Sequence, residues 1–303
     1  MSRKQRSSKP APPPGLVIVD KPDGMTSHDV VGRMRRIMGT RKIGHAGTLD
    51  PMATGVLVIG VERATKLLGH LALDRKSYLT TIALGASTTT DDADGDVLAK
   101  TEPDTLSAIT DADIDKAIGE LTGEIQQVPS AVSAVKVNGE RAYARVRAGE
   151  RVELDARPVT VHRFDRLALR TEPRLEIDAL VDCSSGTYVR ALARDLGVAL
   201  GVGGHLTALR RTEVGPFGLA TARTLEQLEQ DPSLSLTLDE AVTTAFATHT
   251  VDAATARAVS YGQRTPAAGI QDTYGIVDAD GHALAIATDQ GSHAKYLVVL
   301  APA

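Results

Sequence analysis

The chain of 303 residues contains a single cysteine, no tryptophan and only three phenylalanines. One thiol, Cys183, excludes an internal disulfide and with it a secreted disulfide scaffold, and it fits a reducing compartment. It also leaves no cysteine set for a zinc site. The eight histidines are scattered without a His-x-x-x-His pair. No apolar run approaches the roughly 18 residues that a membrane-spanning helix needs. The opening MSRKQRSSKPAPPPG is basic and proline-rich without an apolar stretch behind it, which reads as a flexible tail rather than a signal peptide.

Two further absences concern ligands. The glycine-rich stretch from Gly44 to Gly55 lacks the Gly-Lys-Ser/Thr ending of a nucleoside-triphosphate loop and the glycine spacing of a dinucleotide fingerprint, and Gly201–His205 is equally unconvincing. The acidic run TTTDDADGD at 88–96 fails as a calcium loop. With Gly95 at the invariant glycine, Thr90 falls at the first ligand and Thr101 at the last, where an acid and a bidentate glutamate belong. No metal and no nucleotide cofactor are expected.

What is present is ordinary globular material, 42% hydrophobic and 24% charged, enough for one large domain or two modest ones. The net charge of −4 conceals a partition. Residues 1–76 carry 14 Lys/Arg against six Asp/Glu, and residues 77–131 carry two against 11. Residues 132–211 return to 14 against 10, and the remainder has four against 11. The two basic segments are either solvated helix faces or parts of one positive groove for phosphates.

Gly15–Asp20 reads as a buried strand, followed by a Pro-Asp-Gly turn. Thr26, Ser27 and Asp29 offer N-cap oxygens to a helix whose Val30, Val31, Met34, Ile37 and Met38 share one face, flanked by Arg33, Arg35 and Arg36. Further strands are expected at 55–61, 77–84 and 175–181, and helices at 111–121 and 188–200, the last despite Gly197. From about Thr248, short runs broken by Asp-Gly pairs suggest β-hairpins in a small separate module. No internal repeat is visible.

Asp50 sits before Pro51 in a structured loop feeding a strand, which biases it to extended backbone. It is either a turn cap or a rigidly held nucleophile or base. Tyr78 and Tyr188 are either core fillers or stacking platforms for a base, Tyr188 with Arg190 close behind.

Taken together, DKPDGMTSHDVV (20–31), RKIGHAGTLDPMATGVLVIGVERATK (41–66), KSYLTTIALG (76–85), the acidic loop, VPSAVSAVKVNGERAY (128–143), CSSGTYVRALARDLG (183–197) and GGHLTALRR (203–211) resemble the TruB-type tRNA pseudouridine-55 synthases. The agreement over the fourteen residues of GHAGTLDPMATGVL is too specific for turn chemistry alone. The resemblance implies a mixed α/β (α+β) catalytic core with a largely antiparallel sheet over residues 15–237, after a basic tail at 1–14. A small PUA-like RNA-binding β module at 238–303 follows. It implies isomerisation of uridine 55 in the tRNA T-loop, with Asp50 as catalytic aspartate and no cofactor or metal. By the same resemblance His45 wedges into the RNA loop, Tyr78 stacks on the target base, Tyr188 and Leu209 line its pocket, and Arg190 pairs with the aspartate. Asp92 falls where it would hold the other side of Arg190. Lys21 and Lys66 are phosphate or structural contacts. The cluster Arg33, Arg35, Arg36, Arg41 and Lys42 is expected on the RNA-backbone face. The expected enzyme is a cytoplasmic monomer acting on the tRNA T-arm without guide RNA. An RNA-folding chaperone and a guide-dependent relative are the alternatives.

Overall fold

The computed structural model describes residues 10–72, 75–130 and 154–303, with the backbone also at 136–137 and 140–141. The first nine residues of the basic tail and most of the 128–143 motif lie outside the described residues.

In chain order the elements are β1 (Gly15–Lys21), α1 (Ser27–Ile37), β2 (Ile43–Ala46), β3 (Thr54–Val61), α2 (Leu68–Leu71), β4 (Lys76–Leu84), β5 (Ala86–Thr88) and β6 (Val97–Lys100). Next come α3 (Pro103–Ser107), α4 (Asp111–Glu120), β7 (Gly123–Gln127), β8 (Lys136–Val137), β9 (Glu140–Arg141), β10 (Arg157–Arg170) and β11 (Glu176–Cys183). They are followed by α5 (Val189–Ala199), β12 (Gly204–Val214), β13 (Phe217–Gly218), α6 (Leu225–Gln230), β14 (Leu236–Thr237) and α7 (Leu238–Ala245). The C-terminal part holds β15 (Ala247–Thr250), α8 (Ala253–Ser260), β16 (Tyr274–Val277), β17 (Ala283–Gln290) and β18 (His293–Val299).

The chain forms two compact units. One gathers the chain up to Pro51 with Gly55–Ala72 and Val214–Ala303, and the other takes Met52–Thr54 with Leu73–Glu213. These borders differ from the expected ones at 14/15 and 237/238.

In the first unit β1 pairs antiparallel with β3 from Gly15↔Val61 to Lys21↔Gly55, and β14 and β2 extend the pairing on β1 and β3 respectively. The unbroken apolar run of β1 follows from burial on both faces. Alternate residues serve separate cores. Val17 and Val19 join Leu57, Ile59, Val30 and Met34 against α1. Leu16 and Ile18 join Val56 and Val58 with Ala241 and Val242 of α7 and Ala283 and Ile286 of β17. The C-terminal four-stranded sheet, β15-β16-β17-β18, is therefore rooted in the same core as β1. It contains the expected hairpins. Helix α8 and the parallel β15–β16 pair are additions that sequence reading missed.

α1 starts at a full capping box, Thr26 with Asp29, and its Val30, Val31 and Met34 are buried. The loop expected at 44–55 begins as strand, since β2 includes Gly44–Ala46 and pairs with β3.

The second unit is a mostly antiparallel sheet in the order β12-β4-β11-β10-β7, with α5 against β4 and the β5–β6 hairpin beside it. The expected mixed, largely antiparallel α/β architecture is what the chain adopts. Strand β10 had no counterpart in the sequence reading. Its register with β11 shifts between Val161 and Arg163 and again between Arg166 and Ala168, and each irregularity breaks the two-residue alternation that marks a strand. Gly197 stands in α5 for a packing reason. A Cβ there would lie 2.1 Å from the Gly203 carbonyl carbon and the Gly204 nitrogen, so only glycine admits the close approach of β12.

Candidate active site

The sequence-selected residues divide between the units. Lys21, His45, Asp50 and Lys66 belong to the first, and Tyr78, Asp92, Tyr188, Arg190 and Leu209 to the second.

Asp50 is half-buried in the turn between β2 and β3, and the residues on both sides of it are clamped. Before it, Leu49 donates its N–H to Ser27 Oγ at 2.9 Å, and the same hydroxyl donates to the Leu49 carbonyl at 3.1 Å. After it, the Pro51 carbonyl accepts from Gly24 N–H and from Lys21 Nζ, each at 3.0 Å. Lys21 is fully buried, and its ammonium also donates to the carbonyls of Pro22 at 3.0 Å and Met25 at 2.5 Å. Of the two roles considered for Lys21, burial leaves the structural one, because a phosphate has no access to it. Ser27, expected among the cap oxygens, leaves that job to Thr26 and works on Leu49 instead.

His45 lies on β2, half-buried, with its ring edge-to-face with His28 at 5.6 Å between centroids. Lys66 is not drawn to the Asp50 turn. Its ammonium donates to the Val299 carbonyl on β18 at 3.1 Å, and Arg63 likewise reaches the Leu300 carbonyl at 3.1 Å. The expected basic cluster is split. Arg33 makes a two-pronged bond with Glu229 at 2.8 and 3.1 Å, and Lys42 pairs with Glu62 at 3.2 Å. Arg35, Arg36 and Arg41 are exposed, and the charge of Arg36 also acts on Glu229.

In the second unit Tyr78 on β4 is buried and sits opposite Val181, and Leu209 on β12 is buried as well. Thr80 Oγ1 donates to the Ala208 carbonyl at 2.9 Å, tying the two strands beside these residues. Arg190 and Asp92, each 4% exposed, form an ion pair at 3.3 Å. Arg190 also donates to the Thr90 carbonyl at 2.6 Å. The acidic loop is thus the cradle of Arg190. Asp92 in turn accepts from Thr90 Oγ1 and from Asp94 N–H, the latter at 3.1 Å, and Thr88 Oγ1 donates to its carbonyl at 2.7 Å.

Tyr188 stands at the N-cap of α5 without a side-chain capping hydrogen bond. A residue the sequence reading missed, Gln127 at the end of β7, holds it in place. Its amide oxygen accepts from Tyr188 N–H at 2.8 Å, and its amide nitrogen donates to the Tyr188 carbonyl at 3.1 Å. Gln127 is 1% exposed, so the two-point grip is shielded from water. A polar Gln among the residues leading into VPSAV was the available signal, but its partner is 61 residues away.

Cys183 is buried, and desolvation pushes its thiol up to about 11, which makes it inert as a nucleophile. Among the described residues one group, Asp278, Asp280 and His282, brings three possible metal-ligand atoms within 4.8 Å of one another. Asp278 there accepts from the Asp280 and His282 N–H groups at 3.0 and 2.8 Å, which is the geometry of an aspartate-stapled turn.

The first unit thus offers a half-exposed carboxylate on a clamped turn, and the second a buried tyrosine and a buried arginine–aspartate pair. The carboxylate and the phenol are groups of the kind used in general acid–base or nucleophilic work. Residues 35–189 match the TruB family pseudouridylate synthase N-terminal domain, residues 190–243 the tRNA pseudouridylate synthase B C-terminal domain, and residues 246–301 the tRNA pseudouridine synthase II C-terminal region. The chain belongs to the TruB family of pseudouridylate synthases.

It is 56% identical over 305 residues to the tRNA pseudouridine synthase B of Rhodococcus jostii, covering 100% of this chain and 99% of the relative. It is 59% identical to that of Mycobacteroides abscessus, covering 95% and 97%. Among solved structures, a Cbf5–Nop10–Gar1 complex matches with a TM-score of 0.72 at 26% identity, over 95% of this chain and 85% of that one.

Proposed function

We propose that the chain isomerises uridine 55 in the T-loop of tRNA to pseudouridine, with Asp50 as the catalytic carboxylate and Tyr78 and Arg190 acting alongside it. The observation that carries this reading is the Asp50 turn. Its two flanking residues are held by hydrogen bonds while Asp50 itself remains half-exposed. A fixed backbone around a partly exposed aspartate suits a group that must meet a flipped-out nucleotide.

The reaction breaks the N1–C1′ glycosidic bond and forms a C5–C1′ bond to the same uracil, with loss of the C5 proton and gain of a proton at N1. Electrons balance within the nucleoside, so no redox cofactor is called for. The released base has to rotate before it reattaches, so exclusion of water matters more than acid strength. Tyr78 supplies an aromatic face for the uracil, His45 enters the RNA loop, and Tyr188 and Leu209 line the base pocket. Asp92 serves the reaction through Arg190. Exposed Arg35, Arg36 and Arg41 contact the RNA backbone, and Lys66 supports β18. Residues 15–237 carry the chemistry and 238–303 form a PUA-like module that contacts RNA. The enzyme works in the cytoplasm as a monomer, without guide RNA. No described helix is long and apolar enough to cross a membrane.

The test is tritium release from unmodified tRNA carrying 5-³H-uridine, using the purified chain without guide RNA, metal or cofactor. Stoichiometric release that disappears when the T-loop uridine is replaced by cytidine is the expected result. Tight tRNA binding with no release points instead to a chaperone or to a guide-dependent enzyme.

A further inference from the structure

Helix α5 carries two arginines one turn apart, Arg190 and Arg194, and the acidic loop offers them two consecutive aspartates, Asp91 and Asp92. Neighbouring residues of an extended chain project to opposite sides, so two adjacent carboxylates reach one helix only if the chain bends between them. Asp91 supplies the bend, with φ at +59°, in the left-handed region. Non-glycine residues persist there when their surroundings hold them, and aspartate is among the more tolerant.

Arg194 does the holding. Its Nη1 meets Asp91 Oδ2 at 3.2 Å, its Nη2 donates to the Val128 carbonyl at 2.7 Å, and its Nε donates to Asp195 Oδ1 at 2.9 Å. The Asp91 carbonyl accepts from Leu206 N–H at 3.0 Å, so the bent residue is fixed at both its side chain and its backbone. On either side of that fixed point stand the two groups that grip Arg190, the Thr90 carbonyl and the Asp92 carboxylate.

We propose that Arg194 is a positioning residue for the pseudouridylation. By clasping Asp91 it sets the bend that aims Thr90 and Asp92 at Arg190, while touching no substrate itself. This rests on the role given to Arg190 above. The geometry separates the clasp from core packing. Arg190 and Asp92 are sealed in, whereas the Arg194 side chain is 24% exposed, so its removal leaves no large cavity. Three partners around one planar guanidinium also match what arginine offers and a single lysine ammonium does not.

The experiment measures single-turnover tritium release at saturating tRNA, tRNA affinity and thermal unfolding for Arg194→Met, Arg194→Lys, Asp91→Asn and the Arg194→Met/Asp91→Asn double variant. Asparagine keeps the tolerance for a left-handed backbone and removes the charge. Each single change to Met or Asn is expected to slow release about tenfold, within the roughly hundredfold that a 1 Å misplacement can cost. Affinity should stay within about twofold, and the double variant should be no slower than the worse single, which is the signature of one shared interaction. Arg194→Lys should recover only part of the rate. A normal rate for Arg194→Met, a loss confined to affinity, or two fully additive losses overturns the proposal. If Arg194→Met melts far below the unaltered protein, Asp91→Asn decides, because it leaves Arg194 its Val128 and Asp195 partners. Failure of the underlying reading looks different: the unaltered chain itself releases no tritium.

Discussion

The turn that carries Asp50 and the loop that cradles Arg190 are both immobilised, but by different physics. Around Asp50 the clamps are a serine hydroxyl working in both directions on Leu49 and a buried ammonium shared among the carbonyls of Pro22, Met25 and Pro51. Around Arg190 the clamps are the Thr90 carbonyl and the Asp92 carboxylate on Arg190 itself and the Asp91 carboxylate on Arg194. The contrast lies in where the grips fall. At the Asp50 turn the peptide groups of its neighbours are held by a hydroxyl and an ammonium. A guanidinium has only donors, so its own side chain can be gripped directly by acceptors, and a bidentate or multi-point grip fixes its plane.

The largest expected effect tests the premise of this contrast. Asp50→Asn should reduce tritium release to background while tRNA affinity changes by no more than a few-fold. Retained activity in that variant would remove the catalytic role and leave the Asp50 turn as mere architecture.

Next is the neutral clamp itself. Ser27→Ala deprives a buried N–H and a buried carbonyl of their partner, which costs on the order of 1–3 kcal/mol for each group left unsatisfied. Denaturant unfolding should show the loss of stability, and single-turnover release should fall further than tRNA affinity. Unchanged stability and rate would mean that Leu49 finds replacement partners and that the clamp is dispensable.

A smaller effect is expected for Gln127→Met, which keeps the length of the side chain while removing both hydrogen bonds to Tyr188. About 1 kcal/mol per bond is the ordinary scale. Because Tyr188 starts α5, the helix that carries Arg190, the variant should weaken both stability and the rate. A rate that holds while unfolding shifts would confine Gln127 to architecture.

The smallest effect concerns the surface. Hydrogen bonding to Arg33 holds the Glu229 carboxyl below its ordinary value. A depressed carboxylate stabilises the fold above its unfolded pKa and loses that contribution as pH falls through the folded value. The pair is exposed and solvent-screened, so Arg33→Ala should flatten the acid limb of a stability–pH curve only slightly. A large change would show that the surface pair carries more of the structure than the buried clamps do.

Much of the framework was legible in local pattern. β1, β3 and β4 announce themselves as β-branched apolar runs, and α1 by the cap oxygens at Thr26, Ser27 and Asp29 and the spacing of Val30, Val31 and Met34. These features depend on neighbours a few residues apart, which is the range over which sequence periodicity speaks. β10 escaped because its irregular register scrambles the alternation, and α8 because the residues around Ala253–Ser260 lack a strong apolar stripe. The helix expected from residue 111 does begin at Asp111, and the structure adds its cap, Thr110, in a box with Asp113.

At the site, the residue types of the acidic loop and of the α5 segment pointed to Asp92 and Arg190 through family resemblance, and the structure pairs the two. The clamping roles of Ser27, Gln127, Asp91 and Arg194 were passed over because each acts on a partner that is remote in the chain. The separations are 22, 61 and 103 positions for the pairs Ser27–Leu49, Gln127–Tyr188 and Asp91–Arg194.

By itself, then, the sequence determined the long apolar strands β1, β3, β4 and β11, the helices α1, α4 and α5, the lack of any internal disulfide, and the family to which the chain belongs. Only the tertiary structure decided that Lys21 is buried rather than offered to phosphate, that Ser27 and Gln127 clamp backbone, and that adjacent aspartates turn to one helix. The physical reason is that a propensity is a property of a few consecutive residues. Burial, ion pairing and long-range hydrogen bonds are properties of a place, and a place exists only once distant segments have packed together.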